Sequence, residues 1–450
     1  MPLRDLIVVC VVMGLLPYVL IRPHVGVLLW SWIGYMNPHR LTWGFAYNFP
    51  FAQLIGGATL VGLVLSKEPK RIPWNALTFV LVLFNLWMLL TTMFAIYPYA
   101  WEQWEKVIKI QIMVFITMMV ITNAERLNQL VWVIAVSLGF YGIKGGIFAI
   151  MTGGQYKVIG PEKTFISGNT ALALALVMTL PLLRYLQLQS TNRWIRRGLI
   201  AAMGLTGLAI LASYSRGAFL ALACMAAVLW WKSRHKLPLA LALLALLPVG
   251  IMFMPEQYTE RLETITEYEA DGSAMGRIHA WIFATKMAIE RPLGGGFESF
   301  TAENYARYAP ELLEDEDRFQ DAHSIYFEIL GEHGFAGLAL FLVTGVLGWR
   351  GASRVMRNAR GRPDIQWMRD LAGMVQVSIA GYAVGGAFLG LAYFDLYYHL
   401  LAIIIVLNDQ LARAASVAAP PPAVGAPAVR TGTPGSLAPH NPARLLRGKH

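Results

Sequence analysis

Apolar residues dominate this chain in runs of roughly twenty, separated by short polar or basic punctuation. A helix needs about 20 mostly apolar residues to cross the hydrocarbon of a bilayer. Such runs lie near 5–36 (interrupted), 51–66, 76–94, 107–122, 128–151, 168–187, 198–212, 215–231, 237–254, 324–349, 369–390 and 394–411. The pattern therefore predicts an all-α polytopic membrane protein with about 12 transmembrane helices. The runs are continuous and do not alternate with period two, which excludes a membrane β-barrel. Arg22-Pro23-His24 breaks the first run, so 5–36 reads as one interrupted span or two short helices.

Composition sharpens this. Of the 450 residues, 56% are hydrophobic and 14% charged, against about 25% charged in a soluble domain. That balance excludes a disordered chain, a coiled coil or a secreted disulfide scaffold for the bulk of the sequence. The two cysteines, Cys10 and Cys224, sit inside apolar runs and read as small hydrophobes. Leu6 to Leu16 behind Arg4 has the look of a signal peptide. Pro17-Tyr18-Val19-Leu20 follows where a small-x-small cleavage site would stand, so an uncleaved span is expected.

Charge orients the spans. Basic clusters occur at Lys67, Lys70 and Arg71; at Arg193, Arg196 and Arg197; at Lys232, Arg234, His235 and Lys236; and at Arg350, Arg354, Arg357, Arg360 and Arg362. They alternate with weakly charged loops, and the positive-inside rule makes them cytoplasmic. Twelve spans put both termini in the cytoplasm. A divided first element moves only the N-terminus outside. The overall charge of +10 suits contact with anionic lipid, and the short basic clusters do not suggest nucleic-acid binding.

The chain accordingly divides into an N-terminal transmembrane bundle (1–254, about nine spans), a loop domain (255–323), C-terminal transmembrane helices (324–412) and a disordered cytoplasmic tail (413–450), rich in Pro, Ala and Gly. The 69-residue loop holds 15 of the 27 acidic residues and carries a net charge of −9, against +19 for the remainder. The orientation puts it outside the cytoplasm. Thr259–Glu269 and Met275–Ile289 have helical spacing, which predicts a folded cap. A loop of this length is usually functional.

No P-loop, GxSxG, HExxH or CxxC motif is present. Gly294-Gly295-Gly296 after Pro292 reads as a turn. Chemistry-bearing residues instead gather at one membrane face. Arg216, in Ser213-Tyr214-Ser215-Arg216-Gly217-Ala218, falls in a tight external turn; it either snorkels to lipid phosphate or binds substrate. Arg277, in Gly276-Arg277-Ile278-His279-Ala280-Trp281, either pairs with loop acids or serves the site. His323 lies where the loop re-enters the membrane as a helix, with Tyr326 and Phe327 one turn on. A helix start favours neutral imidazole, the form that acts as a base; the plainer alternative is a polar cap made by Asp321. Weaker candidates are Lys144, Lys163 and Asn169. Asp395 and His399, one turn apart, read as a structural pair. The acidic run Glu314-Asp315-Glu316-Asp317 reads as a solvated face. No metal site or cofactor is expected.

Ser215-Arg216-Gly217-Ala218, Gly276-Arg277 leading to Trp281, Pro292-Leu293-Gly294-Gly295-Gly296, and His323-Ser324 through Gly334-Phe335-Ala336-Gly337-Leu338 together resemble the O-antigen ligase and polymerase superfamily, in the same order. Tyr35-Met36-Asn37-Pro38-His39-Arg40 and Ile72-Pro73-Trp74-Asn75 resemble the N-terminal region of exosortase-associated O-glycosylation ligases. The resemblance implies a metal-independent, inverting glycosyltransferase of the bacterial inner membrane with its active site facing the periplasm. Its donor would be an undecaprenyl-diphosphate-linked glycan and its acceptor a sugar hydroxyl of lipid A-core. His323 would be the catalytic base, and Arg216 and Arg277 would hold the diphosphate. Tyr326 would shape the site, Asn169 matches a polar residue opening an earlier span, and Lys144 is kept as a candidate substrate-binding residue. An O-glycosylation ligase with a protein or exopolysaccharide acceptor, an O-antigen polymerase, and a non-enzymatic lipid-linked glycan transporter are the competing readings. Acceptor, glycan and oligomeric state are not legible.

Overall fold

The computed structural model describes residues 2–232, 237, 272–312 and 319–418. Fourteen α-helices account for most of these: α1 (Leu3–Ile21), α2 (Pro23–Met36), α3 (Phe51–Leu65), α4 (Ala76–Met93), α5 (Ala100–Val120), α6 (Ala124–Met151), α7 (Gly168–Gln189), α8 (Arg193–Leu211), α9 (Arg216–Lys232), α10 (Gly272–Glu290), α11 (Ala302–Tyr308), α12 (Ile325–Asn358), α13 (Gln366–Gly385) and α14 (Asp395–Ala418). No strand occurs among the described residues; an isolated bridge joins Gly160 and Gly168. Met1–Leu411 forms one compact unit. Of Ala412–His450, only the end of α14 is described, so the expected tail lies outside the described residues from 419 onward. The expected span 237–254, the helical tract 259–269 and the acidic run 314–317 also lie outside them.

Among the described residues, seven segments are long and apolar enough to cross a membrane: Leu3–Ile21, Ala76–Met93, Ala124–Met151, Gly168–Gln189, Arg193–Leu211, Ile325–Asn358 and Pro363–Phe388. Phe51–Leu65 is apolar but shorter. Four of the expected runs within the described residues have no segment in this set: 51–66, 107–122, 215–231 and 394–411. α5 begins about two turns before its run and carries Glu102, Glu105, Lys106 and Lys109 in its first half. The interrupted run over 5–36 divides into two helices. Pro23 lacks the amide that would continue α1 and has the backbone angle that starts a helix, so α1 closes at Arg22 and α2 begins at once.

The helices alternate in direction, which sorts their connections onto two ends. At one end, here the crown, lie 37–50, 94–99, 152–167, 212–215, 291–312, 319–324 and 386–394. Ala46 N–H donates to Asp5 Oδ1 at 2.8 Å, so α1 begins at the crown too. Ile96 N–H donates to Gly295 O (2.9 Å) and Val158 N–H to Ala212 O (3.0 Å), lacing separate turns together. At the other end, the base, Asn75, Asn123 and Asn192 cap α4, α6 and α8 by accepting from Thr78, Arg126 and Trp194 amides, as helix starts require. Arg126 pairs with Glu68 through both guanidinium nitrogens at 2.6 and 2.7 Å. Lys67, Lys70, Arg71, Arg193, Arg196, Arg197, Lys232 and the Arg350–Arg362 series all belong to base connections or the helix turns beside them.

Small residues bring the helices close. A β-carbon on Gly142 would stand 2.2 Å from Thr206 Oγ1, and one on Gly146 would stand 2.2 Å from Leu205 O. α6 and α8 therefore meet backbone to backbone, as small residues permit in membrane helices. That contact fixes the end of α8, from which the Arg216 turn departs.

Candidate active site

The Ala212–Ser215 turn is held from three sides. Ser213 Oγ donates to Ile210 O (2.6 Å), Asn169 Nδ2 donates to Ser213 O (2.7 Å), and Val158 N–H donates to Ala212 O (3.0 Å). Ser215 Oγ accepts from Ala218 N–H (3.2 Å) and opens α9. Arg216, the first residue of α9, is exposed at the crown. A cation at a helix start opposes the helix dipole, an arrangement that favours a bound anion. Asn169 thus acts on the turn that presents Arg216.

Arg277 lies on α10, which packs along the first half of α12. One residue earlier, a β-carbon on Gly276 would stand 2.3 Å from the end of the Gln320 side chain, so α10 lies close against the 319–324 segment. One turn later, Trp281 Nε1 donates to Ala322 O at 2.8 Å and its ring stacks on Phe327, with centroids 4.9 Å apart. Arg277 and His323 are thereby brought together. His323 has φ +40°, and the helix cap after it is Ser324. Asp321 does not cap α12. Partial withdrawal from water lowers the His323 pKa below its usual value of 6.5; Asp321 opposes this and Arg277 adds to it. The shift favours the neutral imidazole, and the residue remains accessible to solvent.

Arg216 is joined to this pair through the turn after α13. A β-carbon on Gly217 would stand 3.1 Å from Phe388 Cβ, and one on Gly386 would stand 2.7 Å from Ile325 Cδ1. Two contacts therefore link the Arg216 turn to the helix that His323 precedes. Tyr326 hydroxyl donates to Ala383 O (2.7 Å), fastening α12 to α13. Lys144 does not join the group: its side chain is exposed on the outer face of α6 beside Ile143, Ile147 and Phe148.

The Pro292–Gly296 turn does more than reverse the chain. α12 breaks at Gly334 (φ +65°), and Gly295 and Gly296 amides donate to the carbonyls of Gly331 and Glu332 at 2.8 Å each. A β-carbon on Gly334 would stand 2.0 Å from Pro292 O. The glycine turn inserts into the helix break and holds the first nine residues of α12 at an angle.

Sequence reasoning passed over the carboxylates of that outer half-helix. Glu332 Oε1 accepts from Glu298 N–H (2.9 Å), and its other oxygen accepts from the Tyr393 hydroxyl. Glu328 Oε2 accepts from Ala392 N–H (3.1 Å). Two acids one turn apart in an apolar helix were the available signal. Nearby, burial and Asp321 raise the Glu298 carboxyl pKa, against the pull of Lys106. Asp395 and His399 are not paired side chain to side chain: His399 Nδ1 meets the Tyr35 hydroxyl at 2.8 Å and the Asp395 carbonyl at 3.2 Å.

Backbone strain collects at this face. The five non-glycine residues with positive φ among the described residues are Asn37, Lys163, Tyr214, Glu298 and His323, all in crown connections, the last two both between α10 and α12. Such conformations cost about 1–3 kcal/mol each and cluster at functional sites. An apolar cavity of about 360 Å³ opens beside the site. It runs between α12 and α13 from Ile325 and Tyr326 past Phe341 and Tyr382 to Trp349 and Arg350.

Two family models match the chain. Residues 3–191 match a family of unknown function, DUF5935. Residues 201–342, which hold Arg216, Arg277 and His323, match the family described as O-Antigen ligase. No curated protein matches.

Proposed function

We propose, from the match of residues 201–342 to the O-antigen ligase family, that the chain transfers a glycan from undecaprenyl diphosphate to a sugar hydroxyl of lipid A-core. At family level the activity is glycosyl transfer of the ligase or polymerase type, with a lipid-linked glycan and a lipid acceptor. The observation that carries the proposal is the Trp281–Ala322 bond, which sets Arg277 beside His323 on the crown.

In the reaction the acceptor oxygen attacks the anomeric carbon from the face opposite the diphosphate, inverting that centre. The carbon–oxygen bond to the diphosphate breaks, and undecaprenyl diphosphate leaves with the bonding pair. His323 accepts the hydroxyl proton, which requires its ring nitrogen within about 3 Å of that oxygen. Its lowered pKa supplies the neutral form. Arg216 and Arg277 hold the diphosphate, whose charge grows as the bond breaks, so their attraction is greater in the transition state than in the ground state. The guanidinium pair stands where other glycosyltransferases use a metal. Tyr326 walls the cavity between α12 and α13, and that cavity lodges the first isoprenoid units of the donor. Basic residues at the base face the cytoplasm under the positive-inside rule, so the crown faces the periplasm of a bacterial inner membrane.

The resemblance of Tyr35-Met36-Asn37-Pro38-His39-Arg40 and Ile72-Pro73-Trp74-Asn75 to the N-terminal region of O-glycosylation ligases supports a second reading of the acceptor: a protein or exopolysaccharide hydroxyl in place of lipid A-core. Purified protein with undecaprenyl-diphosphate glycan and either rough lipopolysaccharide or a candidate glycoprotein distinguishes the two. Transfer to lipopolysaccharide that is lost in His323→Ala is the expected result. Unaltered transfer by that variant, at wild-type expression, overturns the role of His323.

A further inference from the structure

The crown carries a second basic group that the reaction above does not use. Tyr47, in the 37–50 connection, is approached by two cations from separate parts of the chain. The Arg40 guanidinium carbon lies 4.9 Å from its ring centroid and the Lys163 Nζ lies 5.8 Å from it. The two charges are therefore at most about 11 Å apart. Each is attracted by the ring, and each repels the other. No carboxylate among the described residues lies within ion-pair distance of either.

Their placement is enforced. Arg40 is half-buried and donates to Tyr47 O at 3.1 Å. Lys163 adopts φ +56°, a conformation that a residue with a side chain rarely takes without a compensating contact. Its loop is anchored at Val158 to Ala212 and touches the turn after α13 through Phe165 and Phe394. His39 precedes Arg40; burial, and then the Arg40 charge, bring its pKa down to about 4, so it remains neutral beside the cations. Its Nδ1 is buried without a partner. The same connection projects Trp43, 79% exposed, and Phe45, 54% exposed. Exposed aromatics of this kind mark the boundary between headgroups and hydrocarbon.

We infer that Arg40, Lys163 and Tyr47 form a second anion site on the crown, which binds the phosphate group of an amphipath held at the membrane interface. Arginine and lysine from two loops suit a phosphate, and the neighbouring Trp43 and Phe45 suit the apolar part of the same molecule. The phosphate comes either from an ordinary phospholipid or from a phosphorylated glycolipid. The inference does not depend on the transfer reaction.

Binding is read on the purified full chain in a neutral detergent, by thermal shift and by titration. The probes are a short-chain phosphatidylglycerol, the diacylglycerol with the same chains, rough lipopolysaccharide and its phosphatase-treated form. Phosphatidylglycerol is expected to stabilise the protein and the diacylglycerol to fail; phosphatase-treated lipopolysaccharide, which the proposed acceptor site still admits, is expected to stabilise it less than the untreated form. Lys163→Gln, whose side chain makes no hydrogen bond, is expected to weaken binding about fivefold. The Arg40→Gln/Lys163→Gln pair is expected to weaken it more than tenfold, while Arg193→Gln/Arg197→Gln at the base leaves it unchanged. Stronger binding of lipopolysaccharide than of phosphatidylglycerol identifies a glycolipid site, and equal binding identifies a phospholipid site. Wild-type affinity in folded Lys163→Gln overturns the inference, as does equal binding of probes with and without phosphate.

Discussion

Trp281 donates its indole N–H to the carbonyl of Ala322, and this bond couples the helix of Arg277 to the segment of His323. Trp281→Phe retains an aromatic ring against Phe327 but loses the donor. A hydrogen bond of this kind contributes about 1 kcal/mol net, so a fall of roughly fivefold in kcat is expected, with little change in donor KM. Steady-state kinetics on the proposed transfer check this.

Acid should silence the proposed base only at a lower pH than it would an ordinary histidine. His323 has a folded pKa below 6.5, so its neutral form persists to lower pH. The kcat/KM profile is expected to show an acid limb with an apparent pKa below 6.5. Asp321 raises that pKa, so Asp321→Asn should move the limb to still lower pH. A limb moving upward contradicts the assignment.

Glu332 joins three crown elements. Glu332→Leu leaves the Glu298 amide and the Tyr393 hydroxyl without their acceptor in a buried setting. Each orphaned donor costs about 1–3 kcal/mol. A loss of several °C in thermal midpoint is expected, and Glu332→Gln, which keeps an acceptor oxygen, should recover most of it.

Glycine substitutions separate two roles. Gly334→Ala meets both a positive φ and the Pro292 carbonyl, and is expected to destabilise by more than about 2 kcal/mol. Gly198→Ala, inside α8 with nothing within 4 Å of the added carbon, should be neutral or stabilising by up to about 1 kcal/mol. Thermal unfolding of the two variants in the same detergent compares them.

Helix positions were legible because apolar run length and proline determine them locally; Pro23 alone marks the α1–α2 boundary. Arg277 and His323 could be named from short motifs, since each sits beside a glycine or aromatic that the packing uses. Glu332 could not be assigned from its own neighbourhood, because its partners Glu298 and Tyr393 lie 34 and 61 residues away. Lys144 could not be placed from its own neighbourhood, because Gly142 and Gly146 beside it face α8 and leave the lysine on the outer side of α6. Lys163 and Arg40 meet only through Tyr47, a convergence of two distant loops.

The break in α12 at Gly334 has a consequence for how this chain can vary. The carbonyls that a continuous helix would use internally are taken by the amides of Gly295 and Gly296, so turn and half-helix mesh like a key and its lock. Their lengths cannot drift separately: one residue added to either would displace every tooth of the other. Divergence in this part of the molecule must therefore proceed by paired changes, while the loops around it remain free to lengthen.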